Sequence, residues 1–418
     1  MHKLTFDGVK TALYEEVTSY GLKVVIAPIE NSEITVGGVY VATGSLRHEE
    51  KIDKTKCPQG LASYLSKIIH KATNFDVKKK LEELGAIYQV KCDYSSTVYS
   101  FVTSGEYQDA LDLLLGQCTN FSLTEDVVES SKESIIKESM PTRNDLIRNE
   151  VLNNLYFSSH IKELDNGTID DMKDIHLSSL KKFFLNKYVL ENLTLFLVGK
   201  VDLKSIDEYL NTRKLIVDRK PVGKREDYIN KEEYGQVVKP LSSLKVTDFK
   251  PCLALGIKFL PRMELYERYG DNCFAIYQIL PLVFSYLLEK ELSVETRDSI
   301  ECELKEGGED AYLYITIKGQ YDDAFIEKIK ATLMTLTKKF KRKDFKNLAK
   351  VFYAYHVKDF ASPQKYFDGL VNAIENHMAY PSLIERIHSL NYKHIKAFLK
   401  DMQAWIYSFV KVNYEENI

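Results

Sequence analysis

Two stretches of this 418-residue chain repeat the same succession of elements, and that repetition constrains the fold more than any other feature. In the first stretch an aromatic strand at 98–102 leads to Gly105-Glu106-Tyr107-Gln108-Asp109-Ala110-Leu111, which opens a helix. In the second, a strand at 312–317 leads to Gly319-Gln320-Tyr321-Asp322-Asp323-Ala324-Phe325, which does the same. Later in each stretch an amphipathic helix (178–186, then 392–399) runs into another strand (193–198, then 405–410). Matching order at matching offsets implies duplication of one α+β unit.

Further strands are expected at 22–27, 34–42, 86–92 and 252–259. Helices are expected at 61–71, 76–84, 125–138, 144–156, 273–292 and 344–357. Between the halves, residues 213–239 are rich in charge and carry Pro221, Gly223 and Gly235, the composition of an exposed linker. The expected fold class is therefore α+β with two homologous halves. Each half builds a mostly antiparallel sheet with helices packed on one face. The expected domains are 1–212, a charged linker at 213–244, and 245–418.

Composition narrows the function classes. The chain is 44% hydrophobic and 28% charged with net charge -3, so nothing global points to nucleic acid or an anionic membrane. The basic run Lys338-Lys339-Phe340-Lys341-Arg342-Lys343 reads as a solvated helix end, with a binding patch as the alternative. The opening Met1-His2-Lys3-Leu4-Thr5-Phe6-Asp7 has no apolar core of a signal peptide. The most apolar stretch, 273–288, is interrupted by Gln278 and Pro281, and at that length it is expected to be too short to span a bilayer. Six cysteines (57, 92, 118, 252, 273, 302) form no Cys-x-x-Cys pair and read as thiols of a cytoplasmic protein. The nine histidines include no pair at i, i+3 or i, i+4, so no helix presents a zinc-chelating pair. His70 reads as a structural or surface histidine.

The helix start Gly60-Leu61-Ala62-Ser63-Tyr64-Leu65-Ser66-Lys67 follows a strand ending Gly44-Ser45-Leu46-Arg47 and a polar loop. With the strand-turn Tyr20-Gly21-Leu22-Lys23-Val24, the segment Leu81-Glu82-Glu83-Leu84-Gly85-Ala86 and the helix start Ser362-Pro363-Gln364-Lys365-Tyr366-Phe367, it resembles the pitrilysin/insulinase family of zinc peptidases. The likeness is nearest to the bacterial branch of paired subunits and runs nearly end to end. The resemblance implies a pitrilysin-like half-shell, and it implies an inverted zinc motif, His-x-x-Glu-His, in the frame of Gly60 to Lys67. Two histidines one turn apart would grip the metal there, and the glutamate would take a proton from the attacking water. Those positions hold Ser63, Ser66 and Lys67. The family's third ligand falls on Glu138, 71 residues after Lys67, and the other carboxylate of that helix falls on Ser131. One carboxylate facing an ammonium does not hold zinc. The expected lists of catalytic and metal residues are therefore empty, and Ser63, Ser66, Lys67 and Glu138 mark vestigial positions. A Lys67–Glu138 salt bridge in place of the metal, or a Lys67 turned to solvent, are both open.

The resemblance also implies an edge strand that pairs with extended peptide, here Ala86-Ile87-Tyr88-Gln89-Val90. The family usually places Asn-Ala in its middle, whereas this chain has Gln89-Val90, followed by the edge-blocking charge of Lys91. Peptide pairing and a purely structural edge are both open. Arg342, Tyr353 and Tyr355 lie in the region from which active relatives polarise the scissile carbonyl, but they read instead as an exposed charge and core aromatics.

The expected function is a non-catalytic subunit of a heterodimeric zinc peptidase that processes peptide or leader segments, similar to such subunits of the mitochondrial processing peptidase. Zinc would sit only in an active homologous partner carrying His-x-x-Glu-His. Peptide is the expected substrate; no nucleic-acid partner and no transmembrane segment are expected. An independent peptidase with a displaced metal site and a structural core-type interaction protein are the alternatives.

Overall fold

The computed structural model describes residues 1–6, 11–45, 58–71, 75–162, 167–212, 232–247, 249–292, 299–307, 310–375, 380–402 and 406–415. The chain begins with strands β1 (His2–Leu4), β2 (Leu13–Val17), β3 (Lys23–Pro28) and β4 (Thr35–Val41). Helices α1 (Leu61–Ile68) and α2 (Val77–Glu83) precede the hairpin β5 (Ala86–Cys92) and β6 (Thr97–Thr103). Five helices follow: α3 (Gln108–Thr119), α4 (Glu125–Glu138), α5 (Arg143–Leu155), α6 (Ile169–Lys173) and α7 (Leu177–Lys187). Strand β7 (Leu193–Gly199) and α8 (Leu203–Thr212) close the first repeat.

The second repeat opens with β8 (Leu241–Thr247) and β9 (Cys252–Lys258), then α9 (Arg262–Tyr269) and α10 (Asn272–Glu291). The hairpin β10 (Ile300–Gly307) and β11 (Asp310–Lys318) leads to α11 (Asp323–Lys339), α12 (Arg342–Asp359) and α13 (Pro363–Glu375). Helices α14 (Tyr380–Ser389) and α15 (Tyr392–Asp401) and strand β12 (Ile406–Glu415) complete it.

The duplication read from the sequence is visible in the strand order. The first sheet runs β1-β2-β3-β7-β4-β6-β5 and the second β8-β12-β9-β11-β10. The last five strands of the first sheet and the five of the second follow one topology. In each, only the pair joining the first and last strands of the repeat is parallel (β3 with β7, β8 with β12). The mixed α+β class with two mostly antiparallel sheets is the observed architecture.

In the first sheet the period-2 alternation separates two cores. Val24 and Ile26 of β3, with Leu195 and Leu197 of β7, face a cluster that includes Leu65, Leu81, Leu111, Val128 and Phe184 from the surrounding helices. The intervening Val25, Ala27, Phe196 and Val198 face Tyr366, Phe367 and Leu370 of α13. A helix from the second repeat thus covers the other face of the first sheet. Conversely, α5 of the first repeat packs on β8, β9 and β12 of the second.

The compact units are accordingly not contiguous. One gathers residues 1–140, 163–227 and 356–384; the other gathers 141–162, 228–355 and 385–418. This departs from the division at 212 and 245, because amphipathic periodicity shows that a helix has an apolar face but not which sheet will cover it. Glycine makes room in both units. A Cβ on Gly38 in β4 would lie 2.3 Å from the Phe367 ring, and one on Gly256 in β9 would lie 2.5 Å from Leu155 and Val151.

The linker expected at 213–244 is shorter than its composition suggests. Residues 213–231 lie outside those described. Glu232 is buried in an ion pair with Lys258, and residues 241–244 belong to β8. Helix α10 extends the apolar stretch to 20 residues, long and apolar enough to cross a membrane by length and composition. The expectation that it is too short therefore fails. Its role is fixed instead by burial: Ile276, Tyr277, Leu280, Phe284 and Leu287 are among its buried side chains, in contact with β10, α9, α11 and α15. The five described cysteines form no disulfide with one another, and Cys57 lies outside the described residues.

Candidate functional site

Gly60 sits at the N-terminus of α1 with φ 85°, a left-handed conformation that glycine adopts without a Cβ clash. The helix it starts is almost wholly buried. Ser63 and Ser66 are both inside, and Ser66 Oγ donates 2.8 Å to the Ser63 carbonyl, one turn back on its own helix. Tyr64 reaches across to α4 and donates 2.8 Å to the Val128 carbonyl. Burial pushes the Tyr64 hydroxyl up to about 12, so it stays a donor at neutral pH.

Lys67 of α1 and Lys71, just beyond the helix, complete the contact with α4. Lys67 Nζ donates 2.8 Å to Ser139 Oγ, and Lys71 Nζ donates 2.9 Å to Ser131 Oγ. The α1–α4 tie anticipated at Lys67 exists, but its partner is the Ser139 hydroxyl and not Glu138, which is exposed. The physical reason is position: Ser139 caps α4 and lies within reach, so the ammonium finds a neutral acceptor there. Half-burial pulls the Lys67 pKa down, and the nearby charge of Glu138 opposes that shift without a direct contact.

This arrangement does not fit zinc. The Ser66 hydroxyl is committed to a backbone carbonyl, Ser131 accepts from Lys71, and Lys67 brings a positive charge to a position where the family resemblance implies a ligand. Glu138 is the single strong oxygen donor among the assigned positions, and a stable site needs three or four ligands. Elsewhere, Glu125, Glu129 and His176 place ligand atoms within 4.8 Å of one another. All three are exposed, and Glu129 already holds Lys132 at 2.9 Å and His176 at 3.7 Å.

Beside α1 lies β5, the outermost strand of the first sheet, paired on one side to β6. Among the described residues no strand pairs with its other side. Ala86 is buried, Tyr88 is half-buried, and Ile87, Gln89 and Val90 are exposed. Tyr88 is fixed from below: Gln117 Nε2 of α3 donates 3.1 Å to its hydroxyl, and its ring lies 6.0 Å from that of His70. Lys91 is exposed and pairs with Asp93, a charge that guards the end of the edge.

His70 is a structural histidine. Burial lowers its pKa, Asp76 at 3.9 Å opposes that, and Lys71 and Lys78 add to it. Tyr353 packs its ring against His388 at 4.3 Å, while Tyr355 and Arg342 are exposed. Sequence reasoning missed Lys71 and Ser139. No local signal marked them, since each lysine bonds a serine 60 or more residues away.

Residues 23–168 match the family model described as insulinase (peptidase family M16). The chain is 23% identical over 265 residues to the uncharacterized zinc protease YmfH of Bacillus subtilis (strain 168), a match covering 61% of either chain. Its fold is similar to that of an M16-like peptidase from Alicyclobacillus acidocaldarius, with a TM-score of 0.82 at 16% identity over 98% of this chain and 100% of the other. It is also similar to a peptidase M16 inactive domain from Pseudomonas fluorescens, with a TM-score of 0.71 at 14% identity over 97% and 98%. The matched segment spans about three fifths of the curated relative's length. The family signature thus lies in the first repeat, at residues 23–168, and the fold along the chain's length is similar to that of M16-like peptidases.

Proposed function

We propose that this chain is a non-catalytic subunit of a two-subunit zinc peptidase. It would complete the peptide-binding enclosure for an active homologue carrying His-x-x-Glu-His and help hold the peptide or leader segment being cleaved. The observation that carries the reading is Lys67, a cation at a metal-ligand position, bonded to Ser139 so that α1 and α4 are tied without a metal. An open strand edge at β5 supports retained peptide pairing, since main-chain hydrogen bonds tolerate many sequences. Zinc would belong to the partner alone, and the site of action would be the cytoplasm.

The test is a peptide-cleavage assay with this chain alone, with a homologue bearing the intact motif, and with the two mixed. Cleavage that requires both, together with coelution of the pair on size exclusion, is the expected result. Hydrolysis by this chain alone would instead support an independent enzyme, and a tight complex with no gain in cleavage would support a structural role.

A further inference from the structure

Residues 232–240 lead into β8, and among them only Glu232 is buried; Tyr234 and Val237 are partly buried and the rest are exposed. With no fully buried apolar side chain, this segment gains little from the hydrophobic effect. Its attachment to the second unit is polar. Glu232 Oε1 accepts from the Phe157 N–H at 3.1 Å and from the Lys258 ammonium. Oε2 accepts from the N–H groups of Ser158 at 2.7 Å and Ser159 at 3.1 Å. Beside it the Tyr234 hydroxyl donates to Asp310, whose other oxygen accepts from Ser159 Oγ. Three consecutive backbone N–H groups turned toward one anion make an anion-binding concavity, and an adjacent ammonium strengthens it.

The receiving groups are held by contacts of their own. Tyr156 is fully buried, and its hydroxyl donates 3.0 Å to the Ala311 carbonyl. Leu155 lies against Gly256 of β9, the strand that ends in Lys258. Ser159 Oγ accepts 3.1 Å from the Ile161 N–H. None of these contacts involves residues 232–240, so the concavity keeps its shape when that segment leaves.

We infer that the second unit carries a preformed carboxylate pocket, made by the N–H groups of residues 157–159 and the Lys258 ammonium, and that residues 232–236 dock on it as a strap with Glu232 as the resident ligand. Two donors on each oxygen suit a planar carboxylate. Without that carboxylate the fully buried Lys258 ammonium keeps the carbonyls of Leu155, Glu233 and Gln236 but loses its counter-charge. Lifting the strap readmits water to it, which costs less than keeping an unpaired charge dry. Strap docking is therefore separable from folding of the unit, and a small carboxylate from solution takes the place that Glu232 vacates.

The test compares the full-length wild type with Glu232→Ala and Glu232→Gln, each in sodium formate and in sodium chloride of equal ionic strength, with formamide as the neutral control. Chymotryptic cleavage after Tyr234, followed by mass spectrometry, reports on the strap; far-ultraviolet circular dichroism reports on the fold. In chloride both variants are expected to keep the wild-type spectrum and to be cut after Tyr234 about tenfold faster, because hydrogen bonds to a charged group no longer oppose a local opening. Formate should restore slow cleavage of Glu232→Ala, where the missing side chain leaves room for it, and formamide should not. Unchanged cleavage in both variants, or faster cleavage that formate does not slow, would overturn the pocket. Should Glu232→Ala alone lose its folded spectrum, formate is expected to restore it, and failure to do so would likewise overturn the pocket. Loss of the spectrum by both variants would place residues 232–236 in the core and overturn a separable strap.

Discussion

Lys258, the last residue of β9, has a side chain with 0% exposure and is held by more bonds than any lysine near α1. It donates to the Glu232 carboxylate and to the carbonyls of Leu155, Glu233 and Gln236, and it sits 4.8 Å from the centre of the Tyr156 ring. Glu232 in turn accepts from the backbone N–H groups of Phe157, Ser158 and Ser159. Burial pushes the Glu232 carboxyl up, and these donors more than reverse it, so its pKa ends below the ordinary value. Removing one member leaves a buried, uncompensated charge. Lys258→Met is expected to cost about 3–5 kcal/mol in urea denaturation, and Lys258→Met/Glu232→Met less than that. A second residue-scale effect follows from His70 and His356, both held below the ordinary imidazole value of 6.5 mainly by burial. Near pH 6 the unfolded chain binds more protons at these positions than the folded one, so stability falls as pH drops below about 6.5. Denaturation midpoints measured from pH 7.5 to 5.5 should decline, and His70→Asn should flatten that decline.

Helix α5 shows why elements that are easy to recognise can be hard to place. Its start is a capping box in which Thr142 and Asp145 exchange hydrogen bonds, with Thr142 Oγ1 accepting 3.2 Å from the Asp145 N–H. Thr142→Ala is therefore expected to lower stability by about 1 kcal/mol, measured by thermal or urea unfolding. The effect should belong to the second unit, since α5 packs there through Val151 and Leu155 against Gly256, and Asn154 donates 2.7 Å to Ser242. Helix α13 makes the equivalent contact in the first unit through Phe367 and Gly38. The sequence marked the existence of both helices, α5 by its periodicity and α13 by its Ser362-Pro363 start. It contained no local signal that each would cover the sheet of the other repeat, because that choice depends on a glycine notch more than 100 residues away. Strand β5, by contrast, was readable to the residue, since the turn glycine Gly85 and the aromatic β6 bracket it.

The whole molecule is two units of one topology, each with its own sheet and core and, among the described residues, without a fitted metal centre. Its stability should be indifferent to metal. Dialysis against a chelator is expected to leave the unfolding temperature unchanged, with metal analysis giving far less than one zinc per chain. A fall in unfolding temperature restored by zinc would contradict the account of α1 and α4.

What the sequence determined by itself was local or compositional: the repeat, the strand and helix periods, and the hydroxyl and ammonium groups of Ser63, Ser66 and Lys67 on α1. Those follow from residue type and spacing, which need no distant partner. Only the tertiary structure decided where the Lys67 ammonium goes. Its acceptor lies 72 residues away, and a long flexible side chain chooses among neighbours by which one folding brings within hydrogen-bond reach. The same reason separates a salt bridge to Glu138, which the residue types allowed, from the pair of lysine–serine bonds that the packing of α1 on α4 selected.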